Sequence, residues 1–341
     1  NADTSSVSIE VNTKFDEEMQ GGGLYQALQP HSVLRSSLNV VNWEVRENRE
    51  ALIYIHGYNI SVDHAAKKFA QLIASGNFPS YIVPVVYSWP TGRTLFYFDS
   101  LATIEHSAVI TSLGRLLSAL YQGGITRVHF LTHSMGIRIL LVALQHKNFR
   151  NLLYTRKHQP NIQLRREEGT IESIQEQHQI EEEETELQAG EEEAAVKILS
   201  TTFLNPDYPL VPFRDEAYHQ LHEVCSHITV YVDKTDEALG YQSCLSRETS
   251  IGLLNEPFRS GSSPNDEILD LDMICVTNLK HNIHSLRHAA FNVNRSLLED
   301  IREVIVSRKR AWSRDDRLIH QEGNFYSFIS TPSSVTSDHI A

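Results

Sequence analysis

Short apolar, β-branched runs alternate with longer amphipathic stretches from about residue 38 onward. The short runs predict strands at 40–45, 51–55, 82–87, 127–131, 198–203, 228–232 and 273–276. Apolar residues at helical spacing predict helices at 61–75, 100–121, 135–147, 213–224 and 291–309. This alternation is typical of an α/β fold in which helices cover both faces of a mostly parallel sheet.

Three segments depart from this pattern. Residues 1–37 and 324–341 are rich in Ser, Asp and Thr, which predicts poorly ordered ends. Residues 150–195 contain Gln-rich and Glu-rich sequence, which predicts either a solvated, flexible insertion or a mobile cap over a functional site. We therefore expect one domain at 38–323 that is interrupted by an acidic insertion at 150–195.

The formal net charge of −13 has a local source. Residues 167–193 hold twelve Glu and no Lys or Arg, so the rest of the chain sums to about −1. A nearly neutral remainder argues against a basic surface for nucleic acid. The acidic insertion is the segment most suited to bind a protein partner.

The cysteine content and hydropathy bear on the compartment. Cys225, Cys244 and Cys275 are odd in number and lack C-x-x-C spacing, which argues against a disulfide framework and favours a reducing compartment such as the cytoplasm. No run of 18 or more apolar residues occurs, so we predict no membrane span. Because the sequence starts at Asn1 rather than Met, we expect that a targeting segment can precede it.

The strongest chemical signal is an apolar strand that runs directly into Ser134 and then into a helical apolar stretch. A strand, a sharp turn and a helix form a nucleophile elbow, which needs small residues two positions before and after the serine. Gly136 meets this requirement, whereas Thr132 departs from it and could crowd the turn. The alternative interpretation is that Ser134 only caps a helix.

A second signal is His56-Gly57-Tyr58-Asn59, which follows a predicted strand about eighty residues before Ser134. A glycine at this place lets backbone N–H groups face a developing oxyanion. The predicted donors are the N–H of Met135 and that of Tyr58 or Asn59. The alternative is an ordinary turn, and we expect the His56 and His133 side chains to have structural roles.

These motifs, with Ser88-Trp89-Pro90, Asn205-Pro206-Asp207 and a histidine region before an acidic amphipathic helix, resemble the lipase- and esterase-related α/β hydrolases grouped as a domain of unknown function. The resemblance covers roughly residues 48–150 and 196–315. It implies an α/β-hydrolase fold and ester hydrolysis. Trp89 and Tyr58 become candidate substrate-binding residues, and the aromatic run 96–98 is a candidate acyl pocket.

The remaining triad members should follow the serine in the order acid, then histidine. The resemblance places the acid at Asp236, after the strand at 228–232. Asp207, which follows the preceding strand, is the alternative, and either residue can equally be a turn or cap residue.

Three histidines, His281, His284 and His288, follow the last predicted strand. The resemblance favours His288 as the base, because it stands just before the closing helix, and His284 is the alternative. The three also share one helical face, but no matched acidic or thiol ligand accompanies them, so we predict no metal site.

The sequence thus predicts a cofactor-free serine hydrolase that cleaves a small-molecule ester or acyl substrate through an acyl-enzyme intermediate. Two alternatives stay open. The same nucleophile serves a thioesterase, amidase or peptidase, and a non-catalytic relative would bind a partner, for example through the acidic insertion.

Overall fold

The computed structural model describes residues 49–91, 97–155, 196–279 and 294–329. These residues form one eight-stranded sheet with the strand order β2-β1-β3-β4-β5-β6-β8-β7. Its strands are β1 (Glu50–Ile55), β2 (Ile82–Tyr87), β3 (Arg127–His133), β4 (Lys197–Leu204), β5 (Ile228–Val232), β6 (Asp272–Cys275), β7 (Leu318–Glu322) and β8 (Phe325–Phe328).

All neighbouring strands pair in parallel except β7 and β8, which form an antiparallel hairpin. The carboxyl ends of β1 to β6 therefore meet at one edge of the sheet. In open α/β sheets this edge is where ligands bind. We call it the carboxyl edge.

The helices of the described residues connect the strands. They are α1 (Val62–Gly76), α2 (Tyr97–Ile104), α3 (Ser107–Gln122), α4 (Gly136–Gln145), α5 (Lys147–Arg150), α6 (Leu210–Pro212), α7 (Tyr218–Val224), α8 (Glu237–Ser246) and α9 (Arg295–Arg302). A π-helical segment, Phe213–Ala217, joins α6 to α7, and a second, Glu303–Ser307, extends α9.

Hydrophobic residues are buried on both faces of the sheet because successive strand side chains point in opposite directions. Ile53 and Phe130 belong to the cluster under α3, α4 and α7, whereas Tyr54 and Leu131 belong to the cluster under α1 and α9. Strands that are covered on both sides read as continuous apolar runs, which is why the sequence shows them so clearly.

Six predicted strands are confirmed to within two residues at each end, from β1 to β6. The predicted strand at 40–45 and most of the acidic insertion lie outside the described residues. The predicted helix at 100–121 is two helices, because His106 is extended and accepts a hydrogen bond from the Ala108 N–H through its Nδ1.

The sequence analysis did not predict α8 or the β7–β8 hairpin. Strand β8 lies past the predicted domain boundary at residue 323 and pairs with β6 inside the sheet. The folded domain therefore extends at least to Phe328, and the poorly ordered end expected from residue 324 does not begin there.

Candidate active site

Ser134 lies between the end of β3 and the start of α4, at the carboxyl edge. Its backbone is left-handed, with φ of +53°, and 6% of the residue is exposed. A left-handed serine is strained, and such strain persists only where the surrounding structure enforces it. The strand, the turn and the helix have the geometry of the predicted nucleophile elbow.

Hydrogen bonds to the neighbouring strand hold this turn. The Ser134 N–H donates to Leu204 O at 3.0 Å, and the Asp207 N–H donates to Ser134 O at 3.1 Å. Both peptide groups of Ser134 are thus fixed by the end of β4 and the loop after it. The hydroxyl is presented from a backbone that has little freedom to relax.

Two glycines allow the elbow to approach the end of β1. A Cβ at Gly136 would lie 2.5 Å from Ile55 O and 2.8 Å from His56 O. A Cβ at Gly57 would lie 2.8 Å from the Cβ of Ser134. The requirement for small residues is therefore met where the elbow touches β1.

Thr132 does not prevent this arrangement. Its side chain is fully buried within β3, in register with Ile55 of β1 and Phe203 of β4. Among the described residues, its Oγ1 has no hydrogen-bond partner. The close backbone contacts of the elbow lie at Gly57 and Gly136 instead.

The His56 side chain braces the ends of β1 and β2. Its Nδ1 lies 2.9 Å from Gly57 O, and because a carbonyl only accepts, Nδ1 carries the proton. Its Nε2 then accepts from Ser88 Oγ at 2.9 Å and from the Trp89 N–H at 3.4 Å. Burial lowers the pKa of His56 to about 4, so the ring is neutral at pH 7.

Trp89 supports the same loop from within the core. It is 2% exposed, stacks on His56 and donates its indole N–H to His56 O at 2.8 Å. This burial does not favour the direct substrate contact predicted for Trp89. Tyr58 is half-buried and meets the edge of Tyr97, which in turn meets the edge of the exposed Phe98.

The predicted oxyanion donors lie on two segments of the carboxyl edge. Met135 precedes the first turn of α4, where N–H groups have no acceptor inside the helix. Tyr58 and Asn59 lie in the loop after β1, and Asn59 has a left-handed φ of +52°. Gly57 brings this loop into close contact with Ser134.

Asp236 follows β5 and is 2% exposed. Its Oδ1 accepts from the Leu239 N–H at 3.0 Å, which caps α8. Its Oδ2 accepts from Asn205 Nδ2 at 2.8 Å. A carboxylate offers about four acceptor positions, so these two bonds are compatible with a third bond from an imidazole N–H.

Asp207, the alternative acid, is held by a different set of groups. Its carboxylate accepts from the Tyr97 hydroxyl at 2.9 Å and from Arg138 Nη2 at 3.2 Å. Arg138 also lies over the Tyr208 ring at 5.4 Å. Both carboxylate oxygens of Asp207 are thus engaged in an ion pair and a phenol bond beside the elbow.

The predicted bases His281, His284 and His288 lie outside the described residues. The chain that leads to them leaves β6 at the carboxyl edge. There the Thr277 Oγ1 accepts from the Lys234 N–H at 3.1 Å, which joins the ends of β6 and β5.

A second serine–histidine–carboxylate constellation lies at the opposite edge. His129 Nδ1 is 2.7 Å from Ser200 Oγ, and its Nε2 is 3.0 Å from Glu50 Oε2. All three residues are buried, and Glu50 also pairs with Arg127 and Arg308. Buried within the sheet, Ser200 is inaccessible to a substrate, so we assign this group a structural role.

Sequence reasoning did not single out Asn205 as a site residue. The local signal was Asn-Pro at a strand end, which reads as a turn. Within the described ranges, no cluster of His, Cys, Asp or Glu is suited to hold a metal ion, and no helix is long and apolar enough to cross a membrane.

Comparison with protein families identifies the fold and the family of the chain. The sequence model of the family described as "Alpha/beta hydrolase of unknown function (DUF900)" matches residues 35–308. This match and the mostly parallel eight-stranded sheet confirm the fold and the family resemblance predicted from the motifs. No curated protein and no solved structure matches the chain.

Proposed function

Because the chain belongs to the alpha/beta hydrolases of unknown function, we propose that it is a serine hydrolase that cleaves carboxylic esters through an acyl-enzyme intermediate. The observation that carries the proposal is the conformation of Ser134. A buried serine with a structural role gains nothing from a left-handed φ of +53° at a strand-to-helix turn. In a nucleophile elbow, the same conformation presents the serine hydroxyl to the substrate.

The proposed mechanism assigns a role to each segment of the carboxyl edge. His288, with His284 as the alternative, takes the proton from the Ser134 hydroxyl as it attacks the ester carbonyl. The N–H groups of Met135 and of Tyr58 or Asn59 bind the oxyanion, and each donor contributes about 3 kcal/mol to transition-state stabilisation.

Asp236 completes the proposed triad. Its carboxylate orients the imidazole and stabilises the imidazolium that forms when the proton is transferred. The protonated histidine then donates to the leaving alcohol, and water resolves the acyl-enzyme by the reverse sequence of steps. Apart from the substrate and one water molecule, the proposed steps use side chains and backbone groups of this chain.

Active-site labelling tests the proposal directly. We expect wild-type protein to react with a fluorophosphonate probe and to hydrolyse short p-nitrophenyl esters, and Ser134→Ala to lose both activities while remaining folded. Ser200→Ala is the matched control, because Ser200 also contacts a histidine but lies buried at the other edge. It should keep labelling and turnover.

Two results would count against the proposal. Labelling that survives in Ser134→Ala would place the nucleophile elsewhere. No labelling of folded wild-type protein would favour a non-catalytic binding protein. A panel of ester, thioester and amide substrates with one acyl group then separates the reaction classes, and we expect the ester to have the highest kcat/KM.

A further inference from the structure

Asn205 connects the end of β4 to the proposed triad acid. We infer that Asn205 is a positioning residue for Asp236, an inference that rests on the proposed function. The Asn205 Nδ2 donates to Asp236 Oδ2 at 2.8 Å, although the two residues are 31 positions apart in the chain. Hydrogen bonds to a charged acceptor are among the stronger ones in proteins.

The carboxylate of Asp236 is held from two sides. Leu239 N–H binds Oδ1 from the first turn of α8, and Asn205 binds Oδ2 from the loop after β4. The helix bond engages only one of the two carboxylate oxygens. The second donor fixes its plane and therefore the direction in which it can accept an imidazole N–H.

The backbone of Asn205 is itself anchored. Its φ is +43°, and its N–H donates to Tyr231 O of β5 at 3.0 Å. The next carbonyl, Pro206 O, accepts from Ser250 Oγ at 2.7 Å and from the Gly252 N–H at 3.2 Å. Asparagine is among the few side chains that tolerate this conformation, so it supplies a donor where glycine would supply none.

The amide also matters electrostatically. The neutral Asn205 amide binds the Asp236 carboxylate without bringing a second charge beside it. The triad acid must stay ionised to hold the imidazole in the correct tautomer. Both effects act on proton transfer rather than on substrate binding, so the loss of Asn205 should appear in kcat and leave KM little changed.

Two substitutions separate the positioning role of Asn205 from a role in folding. Asn205→Gly keeps the left-handed backbone and removes only the amide, since glycine adopts this conformation without strain. Asn205→Asp keeps the shape of the side chain but brings a second carboxylate to Asp236. Asn77→Gly is the matched control, because Asn77 is also left-handed, with φ of +48°, but lies exposed at the end of α1.

We expect Asn205→Gly to lower kcat for a p-nitrophenyl ester by roughly 10- to 100-fold, with KM within about twofold of wild type. Asn205→Asp should move the acid limb of kcat/KM to higher pH by about 1 unit, because added negative charge raises the pKa of the catalytic imidazole. Asn77→Gly should match wild type in both measurements. A structural role alone would not move the acid limb.

The failures of the two proposals are distinguishable. If wild type hydrolyses the ester and labels at Ser134, but Asn205→Gly keeps its kcat and Asn205→Asp keeps its pH profile, only the role of Asn205 is overturned. The same holds if Asn205→Gly lowers kcat equally in an Asp236→Asn background, since coupled residues should not add. If wild type neither labels nor turns over, both proposals fail.

Discussion

At the scale of single residues, the elbow depends on a missing side chain at Gly136. An alanine there would bring its Cβ 2.5 Å from Ile55 O, a backbone atom that moves only if β1 moves. We expect Gly136→Ala to lower the free energy of unfolding by about 1–3 kcal/mol, measured by urea denaturation, and to slow labelling of Ser134.

Gly240 provides the matched comparison. It lies inside α8, and a Cβ there meets no atom within 4 Å. Gly240→Ala should therefore raise the free energy of unfolding by about 0.5–1 kcal/mol, because alanine is the better helix former. Equal stabilities for the two alanine variants would contradict the steric account of the elbow.

Residue-scale prediction from sequence succeeds where the signal is local. The positions of Ser134, Gly136 and Gly57 follow from a few neighbouring residues, because a sharp turn after a strand needs a specific local composition. The pairing of Asn205 with Asp236 does not, since 31 residues and a whole helical segment separate them. Only the folded sheet brings the ends of β4 and β5 together.

At the scale of elements, Asp236 is the N-cap of α8. The effects of replacing Asp236 and Asp207 on stability and on catalysis can therefore be compared. Asparagine is as good an N-cap as aspartate, so Asp236→Asn should leave the free energy of unfolding within about 1 kcal/mol of wild type. The same change removes the carboxylate and should lower kcat by about 10⁴-fold, as expected for loss of a triad acid.

Asp207→Asn should instead lower stability more than it lowers catalysis. It leaves the largely buried guanidinium of Arg138 without its ion-pair partner and should destabilise the fold by about 3 kcal/mol. The kcat of the folded variant should fall far less than in Asp236→Asn. Urea denaturation and ester kinetics on both proteins test this, and a reversed order would make Asp207 the triad acid.

Element prediction from sequence was accurate for β1 and for β3 to β6 because they are largely buried on both faces, and for β2, a partly exposed edge strand, because its residues are all apolar or aromatic. It failed for α8, in which Leu239 faces the core but Tyr241 and Leu245 are exposed, so apolar residues do not follow one helical face. It failed for β7 because this strand lies at the edge of the sheet and is exposed after Leu318. Neither element carries the pattern that burial imposes.

At the scale of the whole molecule, left-handed non-glycine backbone outside helix ends lies at the carboxyl edge in the described ranges. Of the left-handed residues other than glycine in the described ranges, Asn77, Arg247 and Arg308 end helical segments, which is an ordinary use of this conformation. Asn59, Ser134 and Asn205 instead follow three neighbouring strands. This coincidence supports one functional edge, since strain clusters where function requires it.

Two buried histidines make the free energy of unfolding depend on pH. Burial lowers the pKa of His56 and of His227 to about 4, from an ordinary value of 6.5. Between these pH values the unfolded chain binds protons at both imidazoles, whereas the folded protein does not. The free energy of unfolding should thus be at its full value above pH 6.5 and fall by about 1.4 kcal/mol per pH unit for each imidazole as the pH drops toward 4.

Urea denaturation from about pH 7 to about pH 4 measures this slope without reference to activity. His56→Gln removes one titrating ring, so its free energy of unfolding should fall with a slope smaller by about one proton, or 1.4 kcal/mol per pH unit. If His56→Gln kept the wild-type slope, the His56 ring would have to accept its proton within the folded protein, which its contacts with Gly57, Ser88 and Trp89 argue against.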